Sequence, residues 1–206
     1  MLYEEQVLEP STRCLLIRLA RVLGEDFYLV RGTALAIHLG HRLSIDLDFF
    51  AGESFSEDAV LQRIESELAP AVVTTFGRAE NTLNLSVEGV KVDILRYAYP
   101  LIEQPRQVDG YQLLEISDIA AMKLAEITKR GSKKDFFDIA VLLRDRPLDK
   151  LLDYYSQKFP THEPFMVIRS LGHFDDAEQE PDPVMIHAMD WEKAKRIVTE
   201  AVRGAV

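Results

Sequence analysis

Two aspartates stand one residue apart in residues 44–50, which read SIDLDFF. Alternate residues of a strand share a face, so a strand here places Asp46 and Asp48 on one side, roughly 7 Å apart. Burying two carboxylates together is unfavourable unless a cation compensates them, and hard divalent cations bind carboxylate oxygens. The pair therefore predicts a metal site on the free face of a strand. The other face carries apolar side chains that we expect in a core: Ile45, Leu47 and Phe49.

A third carboxylate lies in residues 90–94, VKVDI, where Asp93 occupies the face opposite to the apolar residues. If this strand lies beside residues 44–50, three carboxylates converge. Three carboxylates suit one or two Mg²⁺ ions, and a pair of ions about 3.5–4 Å apart clamps the attacking and leaving oxygens of a phosphoryl transfer. The alternative is that all three are exposed acids on a half-solvated sheet.

Gly32 and Thr33 precede the Asp pair and open a short predicted helix. Glycine lets the backbone approach a phosphate closely, and a helix start offers free N–H groups and the positive end of the helix dipole. Thr33 adds a hydroxyl. The pair thus favours a phosphate-binding turn, although Gly-Thr is also a common start of a helix.

A later helix from Ser117 carries Lys123, Glu126 and Arg130 on one stripe, followed by a basic junction that includes Lys134. Such a stripe either faces solvent or directs cations at phosphate oxygens. Asp135 has two interpretations as well. It lies three residues after Ser132, which is the spacing of a capping box, or it contributes to a binding site.

Helical and alternating apolar patterns place these residues on regular elements. A first helix is predicted after a cap at Ser11 or Thr12 and ends before Gly24, and further helices are predicted over 33–39, 57–69, 117–130, 133–145, 148–158, 162–171 and 191–203. Strands are predicted over 27–30, 44–50, 72–76, 82–87 and 90–97, with a hairpin turn at Glu88-Gly89. The acidic, proline-rich residues 175–183 are predicted to form a loop. We expect an α+β (mixed α/β) fold, with a small mixed sheet flanked by helices in residues 1–110 and a helical region packed against it in 111–206.

The composition limits the classes of function. The 206-residue chain has a formal net charge of −10, which argues against wrapping of long nucleic acids but permits a metal-bound anion or an RNA end. No apolar run approaches the roughly 18 residues of a membrane span, and the acidic start shows no signal-peptide pattern. The single cysteine, Cys14, is expected to be buried, in a reducing compartment. We expect a cytoplasmic protein without a membrane partner.

The order of these motifs is similar to a known signature. A strand, Gly-[Gly/Ser/Thr], a short helix, Asp-x-Asp and a later strand Asp are typical of the DNA polymerase beta-like nucleotidyltransferases. Residues 29–50, LVRGTALAIHLGHRLSIDLDFF, closely resemble the GGTALAL…HR.S.DLDFF core of the AbiEii/AbiGii nucleotidyltransferase toxin family. Residues 116–143, ISDIAAMKLAEITKRGSKKDFFDIAVLL, resemble the helical motif of that family. The resemblance covers about residues 12–145.

The resemblance implies the toxin of a bacterial toxin–antitoxin or abortive-infection system, with a cognate antitoxin as partner. It implies transfer of a nucleotidyl group from an NTP to RNA, with tRNA ends as acceptors in characterised relatives. Asp46 and Asp48 would hold Mg²⁺ and the NTP triphosphate. Asp93 would bind a second metal ion and help to deprotonate the acceptor hydroxyl, while Gly32 and Thr33 would cradle the phosphates.

In the helical motif, the resemblance implies that Lys123, Lys134 and Asp135 position the nucleotide or the acceptor. The chain departs from the family at Arg31, where relatives usually have a glycine. If this position needs a positive φ, arginine is strained there by roughly 1 kcal/mol or more. If it lies close to phosphate, Arg31 either crowds the ligand or binds it through its guanidinium.

Two rival hypotheses follow. The first is a catalytically silent module of the same fold, which binds an NTP and acts through a partner such as the antitoxin. The second is a phosphatase of the haloacid dehalogenase type, which also uses Asp-x-Asp. That class has Thr or Val two positions after the second Asp, where this chain has Phe50, and it does not explain Gly32-Thr33.

Overall fold

The computed structural model describes residues 2–204. The chain forms two compact units. Unit 1 comprises Met1–Gly40, Ser44–Tyr99 and Gln104–Glu115. Unit 2 comprises His41–Leu43, Pro100–Glu103 and Ile116–Val206.

Unit 1 is built on a seven-stranded mixed sheet with helices. Its helices are α1 (Glu4–Val7), α2 (Pro10–Leu23), α3 (Arg31–Leu39) and α4 (Glu57–Glu67). Its strands are β1 (Phe27–Leu29), β2 (Leu47–Ala51), β3 (Val73–Ala79), β4 (Thr82–Val87), β5 (Val90–Arg96), β6 (Arg106–Val108) and β7 (Tyr111–Leu113). The strand order is β3-β4-β5-β2-β1-β7-β6. Strand β2 is parallel to β5 and antiparallel to β1, and β1 is parallel to β7.

Strand β4 has the predicted bounds, and the predicted hairpin joins it to β5. The two turn residues, Glu88 and Gly89, have φ of 53° and 85°. Positive φ at both central residues is the geometry of a type I′ turn, whose twist matches that of the flanking strands. Predicted helix α4 also forms, and its N-cap Ser56 accepts a hydrogen bond from the Ala59 N–H.

Strand β2 begins three residues later than predicted, at Leu47. Leu47 and Phe49 enter the core as expected, but Ile45 is 71% exposed, so its predicted burial is wrong. Residues 44–46 belong to no strand, and the alternation of faces that applies within a strand does not extend to them.

Three short elements of unit 1 were not predicted: α1, β6 and β7. Each has only three or four residues, too few for a periodic pattern. Strand β7 extends the sheet past residue 110, because it pairs with β1 at Tyr28–Gln112 and Leu29–Leu113. The predicted burial of Cys14 on α2 is also wrong, since this side chain is exposed.

Unit 2 is helical in its long C-terminal segment. Its helices are α5 (Ile116–Lys129), α6 (Lys133–Asp145), α7 (Leu148–Lys158), α8 (Pro164–Leu171), α9 (Asp175–Glu178) and α10 (Trp191–Gly204). Helices α6 and α7 have the predicted bounds, whereas the predicted loop over 175–183 contains the one-turn helix α9. The rings of Phe136, Phe137 and Phe174 surround Trp191, each with its centroid 5.8 Å from the indole.

The mixed α/β fold class is confirmed by the sheet and its helices. Among residues 2–204, no helix has the length and apolar character needed to cross a membrane. The fold places the ends of α3, β2 and β5 in one unit, and these elements carry the Asp-x-Asp motif, Asp93 and the Gly-Thr pair.

Candidate functional site

Asp48 on β2 and Asp93 on β5 lie side by side. The two strands are parallel, with Asp48 paired to Asp93, and the flanking pairs Leu47–Val92 and Phe49–Ile94 are buried. Residues in register on parallel neighbours share a face of the sheet, so the two carboxylates project together on the face opposite to that core. Their side chains are only 14% and 9% exposed. Two acids are thus held together in a largely desolvated place.

Asp46 lies just before β2 and is partly buried. Its charge reaches Asp48, whose pKa is raised above its ordinary value. Burial is the main cause of the higher pKa of Asp48, and the charges of Asp93 and Asp46 add to it, while Arg31 opposes the shift. A carboxylate with acidic neighbours in a desolvated place is one that gains from a bound cation.

Arg31 supplies a cation in this structure. Its Nη1 donates to Oδ1 of Asp48 at 3.0 Å, and its guanidinium carbon lies 5.2 Å from the centroid of the Phe50 ring. The backbone of Arg31 has a φ of 57°, in the left-handed region that glycine adopts without strain. Arg31 thus has a backbone conformation typical of glycine, and its side chain binds the second aspartate of the Asp-x-Asp motif.

Asp93 has partners that were not predicted. Lys91 Nζ lies 2.9 Å from Oδ2, and Asn84 Nδ2 donates to Oδ1 at 2.9 Å. The hydrogen bond to Asp93 raises the pKa of Lys91, and the charges of Asp93, Asp46 and Asp48 contribute. Sequence signals for both partners existed. Lys91 lies two residues before Asp93 on the same strand, and the hairpin register from Glu88-Gly89 pairs Asn84 with Asp93.

Gly32 and Thr33 lie in the first turn of α3. The Thr33 hydroxyl is buried, forms a 2.7 Å hydrogen bond with Ser44 Oγ and donates to the Asp46 carbonyl at 2.5 Å. It therefore anchors the segment that leads into β2. The Val30 N–H donates to the Asp48 carbonyl at 2.9 Å, which ties the start of α3 to β2. The N–H groups of the first turn remain the candidates for binding an anion.

The donor set at Asp48 and Asp93 fits a hard divalent cation, since it consists of carboxylate oxygens. In the part of the chain that the structure describes, however, no three Asp, Glu, His or Cys side chains form a ready group for a metal. Asp48 is bound by Arg31, and Asp93 by Lys91 and Asn84. A metal ion at these oxygens would have to compete with the two cations.

The predicted residues of the helical motif belong to unit 2 and are partly bonded to one another. Lys123 Nζ donates to Asp135 Oδ1 at 2.8 Å, and both side chains are buried. Lys134 is exposed. Ser132 is the N-cap of α6, but its hydroxyl binds the Asp135 carboxylate and makes no hydrogen bond to the helix backbone. The predicted position of Ser132 at the N-cap, with Asp135 in the first turn of the helix, is therefore confirmed, but Ser132 makes no side-chain capping hydrogen bond.

The centre of this cluster is Asp138, which was not among the predicted site residues. Its carboxylate lies 2.6 Å from Lys123 Nζ, 2.7 Å from Arg42 Nε and 2.7 Å from His41 Nε2. Burial alone would raise the pKa of Asp138, but Arg42, Lys123 and the hydrogen bond from His41 hold it well below the ordinary range. The His-Arg pair and the Asp-x-x-Asp spacing were visible in the sequence, but their mutual contact across 96 residues was not.

Three proteins resemble the chain over most of its length. The uncharacterised protein aq_aa25 of Aquifex aeolicus is 35% identical over 164 residues, which cover 75% of this chain and 77% of that protein. The structure of JHP933 from Helicobacter pylori has a TM-score of 0.59 at 17% identity and covers 95% of this chain and 92% of its own. The nucleotidyltransferase toxin MenT4 of Mycobacterium tuberculosis has a TM-score of 0.56 at 15% identity, covering 92% of this chain and 82% of its own.

The two structures have the same fold as this chain. The sequence pattern described as "Nucleotidyl transferase AbiEii toxin, Type IV TA system" matches residues 14–202, which include all the motifs described above. That match spans most of the chain and agrees with the similarity to a nucleotidyltransferase toxin fold. The chain belongs to the AbiEii nucleotidyltransferase toxin family.

Proposed function

We propose that the protein is a Mg²⁺-dependent nucleotidyltransferase that moves a nucleotidyl group from an NTP to an RNA hydroxyl. The observation that supports this most strongly is the register of β2 and β5, which places Asp48 beside Asp93 in a desolvated site of a chain from this family. Metal-assisted phosphoryl transfer needs such a group of carboxylates, because the transferred group carries several negative charges.

The site residues have separate roles in this proposal. Asp46, Asp48 and Asp93 hold Mg²⁺, which when bound stabilises negative charge on the phosphates. The first-turn N–H groups at Gly32 and Thr33 bind phosphate oxygens. The acceptor oxygen forms a bond to the α-phosphorus as the bond between that phosphorus and the bridging α–β oxygen breaks, and pyrophosphate leaves. Asp93 accepts the proton of the acceptor hydroxyl and passes it to solvent.

The acceptor that fits best is the end of an RNA, and tRNA is our first candidate. A net charge of −10 disfavours a long phosphate-binding surface, so only a short RNA end would be contacted. In unit 2 the exposed Lys134 would contact phosphate, while the buried Lys123 and Asp135 would hold the junction of α5 and α6. We further propose that the protein acts in the cytoplasm as a toxin and is opposed by a cognate antitoxin.

The test is transfer of label from each of the four α-³²P-labelled NTPs to total bacterial tRNA in the presence of Mg²⁺. Asp48→Asn is expected to lower transfer by more than about 100-fold, because even outer-shell partners of a metal cost about 10- to 100-fold when removed. The control is Asp26→Asn, an exposed aspartate in the turn before β1, which is expected to keep full transfer. Absence of transfer by the wild-type protein with any NTP and RNA would contradict the proposal.

A second candidate is a module that binds an NTP without turnover and acts through a partner. The Arg31–Asp48 ion pair favours it, because a cation of the protein lies where the catalytic metal is needed. Calorimetry would then detect NTP binding by the wild-type protein, while label transfer is absent and toxicity in cells is unaffected by Asp48→Asn. Toxicity that is lost in Asp48→Asn contradicts this second candidate.

A further inference from the structure

We propose that Arg31 is an exchangeable cation of the nucleotide site. In the absence of ligands its guanidinium neutralises Asp48 and competes with the metal, and when metal and nucleotide enter it moves to the triphosphate. This inference rests on the proposed function and adds one residue to it, the arginine that binds Asp48. It predicts that loss of Arg31 has opposite effects on the affinities for metal and for nucleotide.

The backbone at Arg31 provides the first argument. A non-glycine residue at a φ of 57° is strained, and glycine would remove that strain. Strained residues persist when the surrounding structure holds them, and they are concentrated at functional sites. In this backbone conformation the Arg31 side chain contacts Asp48 and the Phe50 ring.

The contact with Asp48 provides the second argument, because it engages only one nitrogen of the Arg31 guanidinium. Arg31 has five N–H donors, and only Nη1 has an acceptor among residues 2–204. The side chain is 36% exposed, whereas that of Asp48 is 14% exposed. The guanidinium side chain is thus more exposed than the carboxylate and keeps N–H donors available for a second anion. A triphosphate is such an anion, and guanidinium binds phosphate in a bidentate manner.

The charges of the site provide the third argument. Asp46, Asp48 and Asp93 carry three negative charges, and Arg31 and Lys91 partly neutralise them. A divalent ion at the same carboxylates takes over this neutralisation, so the two side-chain cations lose their partners. The triphosphate that arrives with the metal brings new negative charge. Arg31 directly precedes the N–H groups of Gly32 and Thr33, so its freed guanidinium stays at the proposed phosphate position.

The test compares Arg31→Asn with wild type in two binding titrations. Asparagine tolerates a positive φ, so this variant removes the guanidinium without adding strain. We expect the affinity for Mn²⁺ alone to rise at least about tenfold, because Mn²⁺ no longer has to displace the charged hydrogen bond between Arg31 and Asp48. The electron paramagnetic resonance signal of free Mn²⁺ measures this affinity. We expect affinity for the best-bound of the four α,β-methylene NTPs, measured calorimetrically with Ca²⁺, to fall about tenfold.

Two further variants separate the effects of the Arg31 charge, of its donor geometry and of net charge on the two affinities. Arg31→Lys keeps the charge but loses the fork of donors, so we expect wild-type Mn²⁺ affinity together with weakened nucleotide binding. Arg78 on β3 forms an exposed ion pair with Asp58 on α4, so Arg78→Asn removes an equal charge elsewhere and is expected to change neither titration.

The two binding titrations test the inference whether or not the protein is catalytically active. A rise in Mn²⁺ affinity with a fall in nucleotide affinity supports it, even if no variant shows transferase activity. Unchanged Mn²⁺ affinity in Arg31→Asn overturns the competition with metal. Unchanged nucleotide affinity, or no binding of any of the four analogues to wild type, overturns the phosphate contact. A parallel loss of both affinities overturns the exchange and indicates that Arg31 only supports the local structure.

Discussion

Asp48 and Asp138 are both carboxylates bound by an arginine, but their surroundings shift their pKa values in opposite directions. Asp48 lies beside two other acids, and burial raises its pKa with only Arg31 in opposition. Asp138 is fully buried, yet Arg42, Lys123 and His41 all favour its charged form, so its pKa is lowered. A further cation would stabilise the Asp48 carboxylate, whereas the Asp138 carboxylate already has three partners that stabilise its charge. We therefore assign Asp138 a structural role within unit 2.

Replacement of Asp138 tests this assignment. Asp138→Asn leaves the buried cations Arg42 and Lys123 without their shared counter-ion, and loss of one partner of a buried ion pair costs about 3–5 kcal/mol of unfolding free energy. Urea unfolding at pH 7 measures the loss. The control is Asp145→Asn at the exposed end of the same helix, which is expected to change stability by less than about 0.5 kcal/mol.

The direction of the pKa shift also sets the pH dependence of this difference. A lowered folded-state pKa means that the charge of Asp138 stabilises the fold above the unfolded pKa of about 3.9, and that this contribution is lost as the pH falls through the folded value. The gap between wild type and Asp138→Asn should therefore narrow below pH 4. A gap that stays constant from pH 7 to pH 2.5 would show that packing, rather than charge, is responsible.

At the scale of elements, the β4–β5 hairpin sets the register that brings Asn84 to Asp93. Its turn depends on Gly89, which has a φ of 85° and open space where the Cβ of another residue would lie. Gly89→Ala is expected to lower the unfolding free energy by about 1–2 kcal/mol through backbone strain alone. Gly52 also has open space but no positive φ, so Gly52→Ala is the matched control and should be nearly neutral or slightly stabilising.

Urea unfolding monitored by circular dichroism at 222 nm measures both glycine variants. Equal midpoints for Gly89→Ala and Gly52→Ala would show that the left-handed backbone at the turn has no energetic role.

The sequence predicted those elements whose patterns are local and long enough. Helices α6 and α7, strand β4 and the Glu88-Gly89 turn follow from periodicity and turn chemistry. Strands β6 and β7 were missed because three residues contain no period. Ile45 was misplaced because the alternation was extended beyond the end of β2. Periodicity reports which face a residue occupies, but only while the residue is inside the element.

The residues of the candidate site were likewise predictable only where a local sequence pattern marks them. A short stretch of sequence is enough to show acids on one face of an otherwise apolar strand. This pattern predicts the three carboxylates Asp46, Asp48 and Asp93. Lys91 and Asn84, the partners of Asp93, follow from local strand and hairpin patterns, but the arginine partners of Asp48 and Asp138 depend on contacts between distant segments. The hydrogen bond of Arg31 to Asp48 spans 17 residues, and that of Arg42 to Asp138 spans 96. No local pattern reports such a pairing, so the ion pair at the proposed metal site came only from the structure.

At the scale of the whole molecule, the two compact units are interleaved along the chain. Two short segments of unit 2, His41–Leu43 and Pro100–Glu103, lie between stretches of unit 1. His41 and Arg42 carry buried hydrogen bonds to Asp138, and the Ile102 N–H donates to Asp118 at 3.1 Å. These contacts of unit 2 depend on residues whose chain neighbours on both sides belong to unit 1. Unfolding of unit 1 therefore releases segments that unit 2 needs.

This connectivity predicts a single cooperative unfolding transition. The chain has one tryptophan, Trp191, which is 8% exposed in the aromatic core of unit 2, so its fluorescence reports on that unit alone. Gly89→Ala weakens only a turn of unit 1, yet we expect it to shift the urea midpoint of Trp191 fluorescence as much as that of circular dichroism at 222 nm. Gly52→Ala should shift neither. A fluorescence midpoint that stays at the wild-type value while circular dichroism shows two steps would mean that unit 2 unfolds independently of unit 1.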